Sequence, residues 1–168
     1  RPPAGSPSRG LAGLGGAGTG TEHMKIGCGE WGFRDLPMAE HFRLAAKFGF
    51  RTLEFGIGGG QTGRLPALPT DRQIADFRAL AASHGIATPG CCLENDFTLS
   101  DPAAHAAMVG DTLRQIQAAA RCGARQVRLF AGFTPAAAMT PAHWKRMLAA
   151  FHEAEAPCAG IGVAIAVE

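Results

Sequence analysis

Apolar and polar positions alternate with two different periods along the chain from Met24 onward. Segments with a helical period end at a glycine, and a short apolar run of strand length follows each of these glycines. The four copies of this pattern are KFGFRTLEF, SHGIATPGCC, RCGARQVRLF and CAGIGVAIAVE. Their glycines are 36, 38 and 37 residues apart, a spacing that matches one strand, one helix and two loops per unit.

The pattern predicts five strands that alternate with four helices. The strands are expected near residues 25–28, 52–55, 86–92, 126–130 and 162–167, and the helices near residues 37–48, 70–84, 101–122 and 141–155. Strict alternation of strands and helices predicts a parallel sheet in an α/β fold. Pro89 is unfavourable inside a central strand, so the boundaries of the third strand are the least defined.

The predicted helices carry their own start and stop signals. Thr70 begins a capping box, and Ser100-Asp101-Pro102 and Thr140-Pro141 place a capping hydroxyl shortly before a proline. The glycines that follow the helices are expected in the left-handed conformation that closes a helix; they are Gly49, Gly85, Gly123 and Gly160.

The first 23 residues have a different composition from the rest of the chain. They are rich in glycine and proline and have no periodic apolar face. We therefore predict that residues 1–23 are a disordered leader, or a segment translated upstream of a start at Met24. Residues 24–168 are expected to hold the fold.

Charge and cysteine content exclude several classes of partner. The formal net charge is only +2, with 16 basic and 14 acidic residues and no basic run, so neither a nucleic acid nor a membrane surface is expected as a partner. The five cysteines include no C-x-x-C pair and mostly accompany apolar segments. Buried thiols in a reducing compartment, the cytoplasm, are the interpretation that fits this usage.

A glycine-rich motif is also compatible with a second type of fold. The G-x-G-x-x-G match at Gly27, Gly29 and Gly32 follows a predicted strand, and Glu54 lies 22 residues further on, as in dinucleotide-binding folds. Against this reading, the helix begins only at Pro37, too late for the third glycine to pack it against the strand. A self-contained five-stranded doubly wound module, Rossmann- or flavodoxin-like, therefore remains the alternative.

Polar residues lie at or just after the carboxyl ends of the predicted strands, where parallel α/β folds place their chemistry. They are Glu30 and Trp31, then Glu54, then Glu94, Asn95 and Asp96, then Arg128, and finally Glu168. Clustered carboxylates suit a hard divalent cation or a polyhydroxylated substrate. An ion pair between Glu54 and Arg128 is an equally good interpretation, and the roles of Glu94, Asn95 and Asp96 stay open.

Four segments together resemble a known family. MKIGCGEWGF, FGFRTLEFGIGG, GARQVRLFAGF and GIGVAIAVE, in this order and spacing, resemble the sugar phosphate isomerase/epimerase family of xylose-isomerase-like barrels. The resemblance implies a (β/α)8 TIM barrel in which residues 24–168 are the N-terminal portion, truncated after about five strands. It also implies a metal-dependent isomerase or epimerase that converts a sugar or sugar phosphate through an enediolate.

The resemblance further assigns roles to individual residues. Glu168 matches the family's glutamate that binds a divalent metal (Mn, Mg, Co or Zn) and acts as acid and base, whereas the other family ligands have no counterpart here. Glu54, Arg128 and Trp31 are expected to bind the substrate. We therefore expect neither tight metal binding nor activity from these 168 residues alone, and a homo-oligomer remains compatible with the sequence.

Overall fold

The computed structural model describes residues 26–168 of the chain. The leader predicted for residues 1–23, and residue 25 at the start of the first predicted strand, lie outside the described residues. The strands are β1 (Cys28–Gly29), β2 (Leu53–Ile57), β3 (Gly90–Leu93), β4 (Gln126–Leu129) and β5 (Ala164–Val167). The α-helices are α1 (Met38–Lys47), α2 (Asp71–Ser83), α3 (Pro102–Arg121) and α4 (Pro141–Gly160), with short 3-10 helices at Glu30–Phe33 and Ala136–Ala138.

The five strands form one parallel sheet in the order β1-β2-β3-β4-β5. Strand order that follows chain order is the arrangement of a barrel wall, because each new strand is added on the same side. Doubly wound folds instead reverse direction at a switch point, which produces a different strand order. The alternative of a Rossmann- or flavodoxin-like module is therefore wrong for residues 26–168.

One face of the sheet packs against the helices. Leu53, Phe55 and Ile57 alternate along β2 and are at most 2% exposed, and Val127 and Leu129 of β4 are completely buried. The helices contribute the other half of this core, including Phe42, Phe77, Ile116, Ala119 and Ala150. Because neighbouring side chains of a strand point to opposite faces, the intervening positions are left to face away from the helices.

The predicted capping signals are confirmed in α2 and α4, and corrected in α3. Thr70 and Thr140 each form a full capping box with the side chain three residues on. At α3 the cap is Asp101, whose carboxylate accepts from the backbone N–H of Ala104 at 2.7 Å, and not the hydroxyl of Ser100. A carboxylate suits this position because it also complements the positive end of the helix dipole.

The helix expected near residues 141–155 and the strands expected near residues 25–28, 86–92 and 162–167 have different boundaries in the structure. Gly160 does not close α4, which continues to Gly160 itself; Gly162, with φ +69°, takes the left-handed position. The third strand begins at Gly90 and not at residue 86, because Pro89 precedes it and only an isolated bridge at Ala87 extends the pairing. Among residues 26–168, none of the helices combines the length and hydrophobicity needed to cross a bilayer.

Candidate functional site

A cleft of about 500 Å³ lies at the carboxyl edge of the sheet. Its walls come from the ends of all five strands or from the loops that follow them, and its lining residues are Trp31, Arg64, Glu94, Arg128, Phe130 and Glu168. This is the edge at which parallel α/β barrels gather their functional groups. Trp31, Arg128 and Glu168, three of the predicted site residues, therefore share one cleft.

The sheet register sets the positions of the polar groups in this cleft. Cys92 of β3 pairs with Arg128 of β4, which pairs in turn with Ala166 of β5. The ladder continues past the last strand, since the N–H of Glu168 donates to the carbonyl of Leu129 at 2.9 Å. Backbone pairing thus fixes the position of Glu168 beside the end of β4.

Arg128 connects three groups on neighbouring strands. Its guanidinium lies 3.5 Å from the carboxylate of Glu54, forms an ion pair with Glu168, and donates to the sulfur of Cys92 at 2.8 Å. The structure therefore contains the Glu54–Arg128 ion pair that the sequence left as an alternative. With 25% of its side chain exposed, Arg128 remains accessible from the cleft.

Arg64, which the sequence analysis did not select, is the second guanidinium of the site. Its Nε and Nη2 donate to Oε1 of Glu30 at 2.9 and 2.6 Å, and its Nη1 donates to Glu94 at 2.8 Å. Arg64 and Glu30 are both almost fully buried, with side chains 2% and 1% exposed. Hydrogen bonds of this kind offset part of the cost of burying the two charges.

Glycines in and after β2 make room for the Arg64 side chain. A Cβ at Gly56 would lie 2.4 Å from Nε of Arg64, and a Cβ at Gly59 would lie 2.9 Å from its Nη1. Gly59 also has φ +73°, a conformation that other residues rarely adopt. The glycines of this segment thus leave the space that the Arg64 side chain occupies.

Glu94 and Trp31 form the exposed part of this arrangement. The carboxylate of Glu94 is 33% exposed and is bound to Arg64 through Oε2 alone, with no partner for Oε1 among residues 26–168. The indole of Trp31 is 54% exposed, and the guanidiniums of Arg34 and Arg64 lie 4.8 and 5.8 Å from the centre of its ring. A free carboxylate oxygen and an aromatic face therefore stand together at one end of the cleft.

Asn95 and Asp96 have structural roles in the loop after β3. The Asn95 side chain donates to the carbonyl of Phe130 at 2.8 Å and accepts from its N–H at 2.9 Å, which ties β3 to the end of β4. Oδ1 of Asp96 accepts from the N–H and hydroxyl of Thr98 and from the N–H of Phe133. Both side chains are thus occupied with backbone and loop contacts.

Burial and charge act in opposite directions on two groups of the site. Burial disfavours the charge of Arg64, but Glu30, then Cys92 and Glu94, more than compensate, and the pKa of Arg64 is raised above its ordinary value. Burial raises the pKa of the Cys92 thiol, an effect that Arg128 and Arg64 partly offset. Arg64 therefore stays charged and Cys92 stays protonated at neutral pH.

The carboxylates of the site are a hard oxygen donor set, the kind that Mg²⁺ and Mn²⁺ prefer. Glu168 reaches the cleft and fits a single ligand position. Within residues 26–168, however, no three side chains of the ligating types come close enough together to hold a metal ion. The described residues can thus supply one ligand to a metal ion, but they do not form a complete metal site.

The comparisons with known proteins agree with this architecture. The model of the xylose isomerase-like TIM barrel family matches residues 42–168. Similar solved structures include the apo form of the 3-keto-D-glucoside 4-epimerase YcjR from E. coli, with a TM-score of 0.64 and 17% identity over 86% of this chain and 55% of that chain. A xylose isomerase-like TIM barrel protein from Mycobacterium smegmatis in complex with magnesium has a TM-score of 0.65 and 19% identity over 85% and 54% of the two chains.

A third similar structure, the IOLI protein with a bound zinc atom, has a TM-score of 0.68 and 16% identity over 86% of this chain and 51% of that chain. The chain thus spans about half the length of these structures, which support the fold. A search of curated proteins found no match. Because the family model covers most of the described residues and the strands follow one another as in a barrel wall, the chain belongs to the xylose isomerase-like TIM barrel family.

Proposed function

We propose that this chain supplies the first half of the active site of a metal-dependent isomerase or epimerase that acts on a sugar or sugar phosphate through an enediolate. The observation that carries the proposal is the cleft at the carboxyl edge, which is lined by Glu168, Arg128 and Trp31 and in which Glu168 forms an ion pair with Arg128. The chain also belongs to the xylose isomerase-like TIM barrel family. The 3-keto-D-glucoside 4-epimerase among the similar structures supports this reaction class.

The residues of this chain perform binding, orientation and proton transfer in the proposed reaction. The exposed indole face of Trp31 packs against the carbon skeleton of the sugar. Arg128 orients Glu54 and Glu168 and presents N–H donors to substrate oxygens. The carboxylate of Glu168 removes the proton from the carbon beside the carbonyl group, or returns one to it.

A divalent cation suits the oxygen donor of Glu168, and when bound it polarises the carbonyl and neighbouring hydroxyl oxygens of the substrate. Since the described residues supply only one such ligand, the remaining ligands must come from outside residues 26–168. We therefore expect no tight stoichiometric metal binding and no turnover from the 168 residues by themselves.

The test uses the complete protein that carries this chain. We expect it to interconvert members of a panel of ketoses and aldoses, to lose this activity in a chelator, and to regain it with Mn²⁺, Mg²⁺, Co²⁺ or Zn²⁺. Glu168→Gln is expected to lower turnover by about a hundredfold or more, the usual loss for a general base, without unfolding the protein.

The matched control is Glu153→Gln, which removes an exposed carboxylate on α4, away from the cleft lining. It should retain normal turnover and metal dependence. Full activity of the Glu168→Gln variant, or of the wild-type protein after removal of the metal, would overturn the proposal.

A further inference from the structure

Trp31 lines the cleft from a short stretch of secondary structure. It belongs to the 3-10 helix Glu30–Phe33, which follows a first strand of only two residues. Its side chain is more than half exposed. An indole with this exposure has few packing contacts that select one rotamer, so other contacts must fix its direction before a ligand binds.

Arg34 contacts both the backbone and the ring of Trp31. Its Nη1 donates to the carbonyl of Trp31 at 3.1 Å, and its guanidinium carbon lies 4.8 Å from the centre of the indole ring. This distance is within the range of a cation–π interaction. Among residues 26–168 no carboxylate forms an ion pair with Arg34, so the contacts of its guanidinium are those with Trp31.

We propose that Arg34, which does not itself line the cleft, is the positioning residue that holds the indole of Trp31 in place for the substrate. The buried Arg64 gives the ring a second charged neighbour at 5.8 Å. With both guanidiniums in place the side chain of Trp31 keeps its 54% exposure, which leaves surface for the carbon skeleton of a sugar. The inference rests on the proposed function, in which Trp31 packs against the sugar, and adds the residue that prepares this contact.

The position of Arg34 at the end of the 3-10 helix does not by itself explain an arginine. The helix is closed by the backbone N–H of Arg34, which donates to the carbonyl of Trp31 at 3.4 Å. Every residue except proline supplies this N–H. Arg34→Ala therefore keeps the end of the helix and removes only the side-chain contacts with Trp31.

Pre-organisation of Trp31 predicts an effect on binding and none on the chemical step. Without Arg34, the indole must be ordered when the substrate binds, and this cost lowers the affinity. The groups proposed for proton transfer, Glu168 and its partner Arg128, are unaffected by the substitution. For the sugar that the complete protein converts, Arg34→Ala should thus raise KM and leave kcat unchanged.

The first measurement follows Trp31 by fluorine NMR in the complete, metal-loaded protein labelled with fluorotryptophan. The resonance of Trp31 is the one that is absent from the Trp31→Phe variant. We expect Arg34→Ala to shift and broaden this resonance, and Arg34→Lys, which retains a cation, to change it less. Arg72→Ala, the matched control on the exposed surface of α2, should leave it unchanged. An identical Trp31 resonance in the wild-type protein and in Arg34→Ala would overturn the inference.

The second measurement is the equilibrium binding of D-fructose and D-fructose 6-phosphate by isothermal titration calorimetry. Arg34→Ala should raise both dissociation constants by about threefold to tenfold, the range expected for ordering one side chain. In a Trp31→Ala background the same substitution should change neither constant, because its effect acts through Trp31. An equal loss in that background, or a loss confined to D-fructose 6-phosphate, would show that Arg34 binds the ligand itself and would contradict the positioning role.

The proposed function and this inference fail by different results. Absence of turnover on every sugar of the panel contradicts the proposed function. The NMR comparison needs neither a ligand nor turnover, so it decides separately whether Arg34 fixes the indole of Trp31.

Discussion

Arg64 and Glu30 form the buried ion pair that organises the cleft. Both side chains are at most 2% exposed, and Oε2 of Glu30 is itself buried with no partner among residues 26–168. The pair therefore costs desolvation energy that its hydrogen bonds only partly return. The pair fixes the direction of the Arg64 side chain, which in turn donates to Glu94.

Removal of one member of this pair should be costly. We expect Glu30→Gln to lower the free energy of unfolding by about 3 kcal/mol, because it leaves the buried guanidinium of Arg64 without its closest counter-charge. Urea denaturation of the complete protein measures this loss. The exposed Glu153→Gln change should cost under about 0.5 kcal/mol. A loss that small for Glu30→Gln would mean that Arg64 does not depend on Glu30.

At the residue scale the sequence identified the strand-end groups but missed the central arginine. Glu54, Arg128 and Glu168 could be found because each sits in or directly after a predicted strand, and parallel strands bring their carboxyl ends together. Arg64 lies in an irregular glycine-rich loop, where no periodicity indicates which side chain turns inward. The small residues Gly56 and Gly59 were the available signal, since each leaves the space that Arg64 occupies.

At the element scale, helix α2 depends on a reciprocal cap at its first turn. The hydroxyl of Thr70 accepts from the N–H of Gln73 at 3.3 Å, and Oε1 of Gln73 accepts from the N–H of Thr70 at 2.8 Å. The helix follows the loop that contains Arg64, so its start limits how far that loop can move.

We expect Thr70→Ala to lower the free energy of unfolding of the complete protein by about 1 kcal/mol, the usual cost of losing a capping hydroxyl. Arg72→Ala is the control in the same turn. Its side chain is 91% exposed and its ion pair with Asp76, at 3.7 Å, is a surface contact, so a change under about 0.5 kcal/mol is expected. Equal effects of the two substitutions in thermal or urea unfolding would contradict the cap assignment.

The elements themselves were predicted with few errors because helix and strand periods differ so clearly in this chain. The errors concern boundaries. Gly160 was expected to close α4, but the turn at Gly162 can close the helix just as well, and residues before it continue the helix even through Pro157. The glycines in the sequence indicate that a helix ends nearby. The packing of the buried residues Ala154 and Cys158 decides whether it ends at Gly160 or at Gly162.

At the scale of the whole molecule, apolar side chains remain exposed on both flanks of the described sheet. Ile26, which precedes β1, is 69% exposed, and Phe48, at the end of α1, is 64% exposed. On the side of β5 the exposed apolar side chains include Trp144, Leu148 and Val167, of which Val167 is 61% exposed. The last three border an apolar groove of about 490 Å³. In a closed barrel, neighbouring βα units cover such flanks.

We predict that residues 24–168, produced alone, associate or form a molten state, because open sheet edges and exposed apolar patches promote aggregation. Removal of residues 1–23 should by itself change neither solubility nor melting temperature. Size-exclusion chromatography and thermal unfolding of residues 24–168 and of residues 1–168, carried out in parallel, test both statements. A sharp cooperative melt from a monomer of residues 24–168 would contradict the interpretation that these residues are an incomplete part of a barrel.

The central claim, proton transfer at a sugar carbon by Glu168, is tested most directly by isotope exchange. The complete, metal-loaded protein is incubated with its sugar substrate in D₂O, and NMR follows the proton on the carbon beside the carbonyl group. An enediolate route predicts that deuterium replaces this proton in substrate and product, and that Glu168→Gln slows the exchange by about a hundredfold. Product formed without deuterium, or exchange at the wild-type rate in the Glu168→Gln variant, would contradict the account.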